Sequence, residues 1–211
     1  MTPFPLDFLV TALVTLGVVI DPVGLAPTFL AVTDGMSAAE RRRVALRACL
    51  IAAAILMGAG LIGDWLLRTL SISLPAFRIA GGLLLFSIAS EMVFGVRIAR
   101  ATREAAEVAE ERVRNIAAFP LAIPLMAGPG AITATVLLAG RAAGDPIRLG
   151  VLFGVIVLIC AACLAAFLAA NRIGRLIGIT GNVVLTRLLG VLLAALAVQF
   201  VIDGIRAVMA G

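Results

Sequence analysis

The chain has 211 residues, 63% of them hydrophobic and 14% charged, with a mean hydropathy of +1.18. Soluble domains carry roughly 25% charged residues, so a water-soluble fold is excluded. All 17 basic residues are arginine and there is no lysine or histidine. That rules out a histidine zinc site, a Ser-His-Asp triad, a Schiff-base lysine and the H-E-x-x-H protease motif. In a lipid-embedded chain the net charge of +5 reads as loop arginines that set topology, so no nucleic-acid partner is expected.

A bilayer-spanning helix takes roughly 20 residues at about 1.5 Å each, so the chain holds about six spans with short connections and no second, soluble domain. Met1–Asp7 lacks the basic start of a signal peptide, and the apolar stretch behind it is too long for one. It is expected to remain as the first span, 8–33. The others fall at 46–67, 74–95, 115–140, 149–170 and 186–208. The fourth and fifth are free of charge, whereas the first carries Asp21, the second ends on Asp64 and Trp65, the third carries Arg78 and Glu91, and the sixth carries Arg187 and Asp203. Between the third and fourth, 96–114 pairs Arg100 with Glu104, Arg103 with Glu107 and Glu110 with Arg114 at i,i+4, which predicts a solvated linker helix. Cys49, Cys160 and Cys163 lie in apolar runs and read as small buried residues, because Cys160-x-x-Cys163 has no second ligand pair.

Counting arginines orients the chain. The segments after spans one, three and five hold twelve: Arg41, Arg42, Arg43, Arg47, Arg97, Arg100, Arg103, Arg112, Arg114, Arg172, Arg175 and Arg187. The opposite side holds five, namely Arg68, Arg78, Arg141, Arg148 and Arg206. Both termini are therefore expected to be periplasmic, in a multi-pass protein of the cell inner membrane.

The halves share a design. Arg78-Ile-Ala-Gly81-Gly-Leu-Leu84 and Arg187-Leu-Leu-Gly190-Val-Leu-Leu193 are 109 residues apart, and the same offset takes Gly95 to Gly204. Span one carries Asp21-Pro22-Val23-Gly24 near its middle, and span four carries Gly128-Pro129-Gly130. Three spans per copy invert the second copy in the membrane, and inverted repeats with paired interrupted helices mark secondary transporters. The predicted fold is an all-α polytopic membrane protein. It has six transmembrane helices in two inverted three-helix repeats, 1–95 and 115–211, with helices 1 and 4 broken and joined by the cytoplasmic linker 96–114.

Each break falls near mid-depth, about 20 Å of helix from Phe8 to Asp21 and about 16 Å from Ala117 to Gly128. Proline lacks an N–H and glycine tolerates unwound backbone, so carbonyls and amides are freed that lipid cannot satisfy. The half-helix after Gly130 points a positive end at the gap, suited to a carboxylate, and the carbonyls ending the other suit an ammonium. A zwitterionic amino acid fits both poles. The substrate-binding candidates are Asp21, Pro22, Gly24, Thr28, Gly128, Pro129, Gly130 and Thr133; the gating or coupling candidates are Asp21, Arg78 and Arg187. A proton on Asp21 is the candidate coupling ion, and no cofactor or metal is expected.

Plainer readings stand beside these. Asp21 before Pro22 makes a good N-cap for a half-helix starting at Pro22. Arg78 and Arg187 lie about one turn inside their spans and can snorkel to the interface. Ser87, Ser90, Thr135 and Gln199 can bond between helices, and Gly150-xxx-Gly154 reads as a close-packing pair.

The strings Asp21-Pro-Val-Gly24 with Pro27 and Phe29, Ile72-Ser-Leu-Pro-Ala-Phe-Arg78-Ile-Ala-Gly-Gly82 and Pro120-Leu-Ala-Ile-Pro-Leu-Met-Ala-Gly-Pro-Gly130-Ala-Ile132 resemble the MarC/SnatA family of inner-membrane proteins. So does Arg187-Leu-Leu-Gly190 with Ala197-Val-Gln199 and Gly204. The resemblance covers nearly the whole chain and implies six spans, neutral amino acid transport and kinship with the LysE-type exporters. Where relatives continue the third span with an apolar run and an aspartate, this chain has Ser87-Ile-Ala-Ser-Glu91. The expected function is secondary export of small neutral amino acids such as glycine or alanine by alternating access. A channel or facilitator for other small solutes or drugs is the alternative. An enzyme is not expected, since the chain offers no nucleophile–base pair, metal cluster or nucleotide-binding loop.

Overall fold

The computed structural model describes residues 5–95, 122, 125–142 and 145–210. Every regular element in them is helical: α1 (Leu6–Ile20), α2 (Leu25–Val32), α3 (Ala38–Thr69), α4 (Leu74–Phe94), α5 (Pro129–Arg141), α6 (Pro146–Leu168) and α7 (Ala170–Ala210). Four helices are long and apolar enough to cross a membrane: α3, α4, α6 and the Thr180–Met209 part of α7. The pair α1 and α2 forms a fifth candidate span, bent by 42°. At 13 residues, α5 is too short to cross alone. Most of the first half of the expected fourth span, and the whole linker 96–114, lie outside the described residues.

Local chemistry fixes where these helices begin. Ser37 Oγ accepts from Glu40 N–H (3.3 Å) while Glu40 Oε2 accepts from Ser37 N–H (2.9 Å), a capping box that starts α3 at Ala38. Arg41, Arg42, Arg43 and Arg47, expected in a loop, therefore stand on the helix. In the same way α7 begins at Ala170, so the expected connection before 186 is helical. Hydropathy locates the hydrocarbon-facing part of a helix, and backbone hydrogen bonding carries the helix beyond it. The third span agrees with expectation: Ser73 caps α4, Pro75 sits in its first turn, and Gly95 ends it in the left-handed region at φ 77°. Asp145 caps α6 by accepting from Ile147 N–H and Arg148 N–H, with Pro146 at the first position.

The core lies where α1, α3, α5 and α6 meet, built from residues such as Leu16, Ala48, Ala52, Leu56, Leu137, Leu138, Leu152 and Ile156. Beside it α4 and α7 pack antiparallel along their lengths: Gly204 faces Pro75 and Ile79, Gly82 faces Ala197 and Val201, and Gly190 faces Ala89 and Met92. A Cβ on Gly82 would lie 2.7 Å from the Ala197 carbonyl oxygen, and one on Gly190 2.8 Å from Met92 Cβ. Glycine is needed there so the backbones can approach, which is how helices associate where lipid removes the hydrophobic drive. The expected pair Gly150 and Gly154 does not do this, since a Cβ on either would meet nothing within 4 Å. Both lie on an exposed face of α6. Large apolar side chains such as Leu50, Leu83, Phe94 and Leu188 point outward, as they do in a protein solvated by acyl chains.

Gly82→Ala is expected to destabilise the protein by about 1–3 kcal/mol through overpacking, whereas Gly150→Ala has room and is expected to be neutral or slightly stabilising. Thermal unfolding of both variants in detergent checks this; equal midpoints would refute the glycine seam.

Candidate functional site

The break in the first span is built by its own residues. Pro22 has no N–H, so the Val18 carbonyl loses its helical donor four residues on. The chain leaves α1 at Asp21, whose φ of 54° is left-handed and whose N–H still donates to Gly17 O at 3.0 Å. Asp21 Oδ1 accepts from Gly24 N–H at 3.0 Å and Asp21 O accepts from Leu25 N–H at 3.1 Å. The second half-helix thus starts at Leu25, not Pro22. Asp21 therefore ends α1 and, as expected, also caps the turn that opens at Pro22, although regular helix is reached only at Leu25. A Cβ on Gly24 would overlap the Asp21 carboxylate, so a larger residue there must displace it. Asp21 is buried.

The second break lies close by. Before it, Ala127 N–H donates to Ala122 O at 2.8 Å, five residues back, a π-type turn of the kind that often marks functional helix distortions. Gly128 then precedes α5, which begins at Pro129 with no side-chain cap. Helix geometry leaves the first N–H groups without intrahelical acceptors. A Cβ on Gly130 would stand 3.5 Å from Val19 Cγ1, so the start of α5 lies against the end of α1 and the two breaks are neighbours.

The other candidates divide. Thr28 is buried on α2. Gly128 is buried and Pro129 exposed. Gly130 and Thr133 also serve packing: a Cβ on Gly130 would overlap Ile88, and the Thr133 methyl seats on Gly81 of α4. A bulky residue at 130 therefore perturbs the α4–α5 contact as well as the break. Arg78 and Arg187 occupy unlike surroundings. Arg78 is half-buried, its Nε without a partner among the described residues, while Arg187 is exposed near Gly95. Thr135 and Ser90 donate to carbonyls of their own helices, at Ala131 and Phe86.

Two polar groupings were not singled out in the sequence. Thr186 of α7, buried, donates to Asp21 Oδ2 at 3.5 Å across 165 residues, and Asn182 is buried one turn before it. Their i,i+4 spacing in an apolar helix was the available signal. Near the far end of α7, Asp203 pairs with Arg141 of α5 at 3.1 Å and accepts from Gln199 Nε2 at 2.7 Å, with Arg141 lying 5.2 Å over the Phe200 ring. Arg78 acts electrostatically on the same arginine. Phe29 of α2 stacks on Phe167 of α6, with centroids 4.6 Å apart and planes 10° from parallel. Cys49, Cys160 and Cys163 are free and buried, and among the described residues no group of His, Cys, Asp or Glu is placed to hold a metal ion.

Long apolar helices around a buried acidic break define an integral membrane protein. The family described as "MarC family integral membrane protein" matches residues 6–209. Similar proteins include a UPF0056 membrane protein of Methanocaldococcus jannaschii, 37% identical over 95% of this chain and 97% of its own. The UPF0056 membrane protein YhcE of Escherichia coli is 37% identical over 91% of this chain and 89% of its own. One from Aquifex aeolicus is 38% identical over 93% and 92%. No solved structure matches. The chain belongs to the MarC family and is embedded in a membrane.

Asp21→Asn keeps an acceptor for Gly24 N–H and is expected to fold with a nearly unchanged unfolding midpoint. Gly24→Ala displaces the carboxylate and is expected to lower the midpoint clearly. Thermal unfolding of the pair separates the two, and a harmless Gly24→Ala would refute the turn described here.

Proposed function

We propose that this protein is a secondary transporter of small neutral amino acids, glycine and alanine foremost, exporting them across the cell inner membrane by alternating access. The observation that carries this reading is a buried carboxylate at a mid-helix break, lying against the uncapped start of a second half-helix. A break in hydrocarbon must find polar partners. The end of α1 with Asp21 offers acceptors for an ammonium, and the start of α5 offers amides and a positive dipole end for a carboxylate. Asp21 is also the group able to carry a coupling proton in mid-membrane.

The helix contacts support an inverted repeat in which α1 and α2 correspond to α5, α3 to α6, and α4 to α7. Under that exchange the α3–α5 contact becomes the contact of α6 with α1 and α2, and the α4–α5 contact becomes that of α7 with α1 and α2. The pairs α3–α6, α4–α7 and α1–α5 map onto themselves, as helices astride a two-fold axis do. The closures differ in bulk: the Phe29–Phe167 stack has as its counterpart Thr135 against Gly60, 106 and 107 residues away. With both termini periplasmic, the aromatic stack lies on the cytoplasmic side and the Arg141–Asp203 pair on the periplasmic side.

Purified protein in liposomes is expected to exchange labelled glycine or alanine for internal amino acid with saturation, and to respond to an imposed pH gradient. Asp21→Asn is expected to lower exchange at least tenfold and to abolish the pH response. Flux that neither saturates nor shows counterflow would indicate a channel, and no flux of any amino acid from folded protein would overturn the substrate.

A further inference from the structure

The two ends of α3 treat their charges differently. Toward its C-terminus, Arg68 Nε lies 2.9 Å from Asp64 Oδ2, one turn back on the same helix. At that end of the bundle Arg148 likewise pairs with Asp145 and Arg141 with Asp203, each at 3.1 Å. The first ten residues of α3 hold Arg41, Arg42, Arg43 and Arg47, and among the described residues none of these has an ion pair. Arg41 is tied down through its Nε, which donates to Thr33 O at 3.1 Å. The acid of the first turn, Glu40, is committed to the capping box, its Oε2 accepting from both the N–H and the hydroxyl of Ser37. Arg43 acts on Glu40 only as a charge at a distance.

Arg42, Arg43 and Arg47 are exposed, and Leu46, Leu50 and Ala54 continue the same exposed stripe at helical spacing. A Cβ on Gly58, next along it, would meet nothing within 4 Å, so the described chain leaves this face open. Farther along the stripe Trp65 is 65% exposed, where an aromatic side chain marks a membrane interface. At about 1.5 Å per residue, Arg47 is roughly 27 Å from Trp65 along the helix and Arg43 roughly 33 Å, which brackets a hydrocarbon core about 30 Å thick. With Trp65 at one interface, Arg43 and Arg47 reach the headgroups of the other.

A guanidinium only donates, through five N–H groups in a planar fork, and it stays charged at physiological pH. Two of them one turn apart, with no described carboxylate against either, call for an anion rich in acceptor oxygens. A phosphate fits the fork and can be held bidentately. The residues that follow decide what carries it: Leu46, Leu50 and Ala54 are apolar and outward-facing, so the phosphate that suits this stripe is attached to acyl chains. A phosphocholine headgroup brings its own cation, which a second guanidinium repels, whereas a headgroup of net negative charge satisfies both arginines.

We infer that Arg43 and Arg47, flanked by Arg42, form a headgroup site for an anionic phospholipid, its phosphate held between the two guanidiniums and an acyl chain lying along Leu46, Leu50 and Ala54 of α3. The lipid neutralises an end of α3 that the described chain leaves positive. It also fixes the depth of a helix whose other face packs on α5 and α6. The site uses the outer face of α3 and no residue of either break, so it stands whatever the protein transports.

The test is a thermal-unfolding titration of the purified full chain in neutral detergent with phosphatidylglycerol, with phosphatidylcholine of the same acyl chains, and with glycerol phosphate as the soluble headgroup. The parent midpoint is expected to rise saturably with phosphatidylglycerol, to respond far less to phosphatidylcholine, and to lose part of the effect in added salt. In the double variant Arg43→Gln/Arg47→Gln the apparent Kd for phosphatidylglycerol is expected to rise about tenfold or more. Arg68→Gln, at the other end of the same helix, is expected to leave it within about twofold. Should the double variant fail to fold, Arg43→Gln and Arg47→Gln singly are each expected to raise it about threefold or more. Equal stabilisation of the parent by the two lipids, or an unchanged phosphatidylglycerol Kd in the folded variants, would overturn the site. So would an Arg68→Gln loss as large as that of the double variant, which would mean a diffuse attraction instead of a located one. Glycerol phosphate binding as tightly as the lipid would overturn it in favour of a soluble phosphate. Amino acid exchange in liposomes reads the transport proposal separately, and its failure leaves this site in place.

Discussion

Breaking a helix inside hydrocarbon exposes peptide groups that no lipid can solvate, and the turn from Asp21 to Gly24 is the answer this chain gives to that constraint. One carboxylate oxygen takes the Gly24 N–H, the Asp21 carbonyl takes the Leu25 N–H, and the left-handed residue at 21 redirects the chain by 42°. The carboxylate lies against Gly24 where a Cβ would overlap it, and Pro22 has no N–H to strand. The turn leaves a buried carboxylate with one oxygen toward Thr186 of α7 and a Val18 carbonyl without its donor four residues on. The polar character of the centre therefore follows from the backbone break itself.

Holding that break in place is a matter of close helix contact. Along the α4–α7 seam glycines take the positions where the backbones approach, and where a methyl would meet a carbonyl oxygen or another Cβ at less than van der Waals distance. Gly81 plays the same part on the other side of α4, receiving Thr133 of α5. α4 thus ties the second break, through α5, to the helix that carries Asn182 and Thr186. A pair of helices packed this tightly moves as a unit or slides as a whole. That suits the proposed carrier, with α4 and α7 in equivalent places of the proposed repeat.

Much of the first break could be read in advance, because Asp-Pro-Val-Gly inside a long apolar run contradicts a continuous helix and an acid there needs a partner. Its form could not. Asp before Pro is a good N-cap by propensity and does accept from Gly24 N–H, but propensity does not show that the same residue ends α1 in the left-handed region or that regular helix resumes only at Leu25. The helix ends at Ala38 and Ala170 were missed for another reason: the arginines that mark a membrane boundary are themselves good helix formers. Gly150 and Gly154 looked like a packing motif by spacing, and spacing alone does not say which face of α6 meets a neighbour.

The sequence by itself determined that this is a helical membrane protein, where its apolar segments lie, that two of them are interrupted, and that its halves echo each other. These follow from composition, hydropathy and the backbone limits of proline and glycine, all of which act locally. Only the tertiary structure decided that the two interruptions lie side by side, that the Arg141 guanidinium answers Asp203, and that Asp21 meets Thr186 across 165 residues. Those are contacts between surfaces whose complementarity is fixed by the rotation of each helix about its own axis, and a membrane, being equally apolar on every side, leaves that rotation to packing.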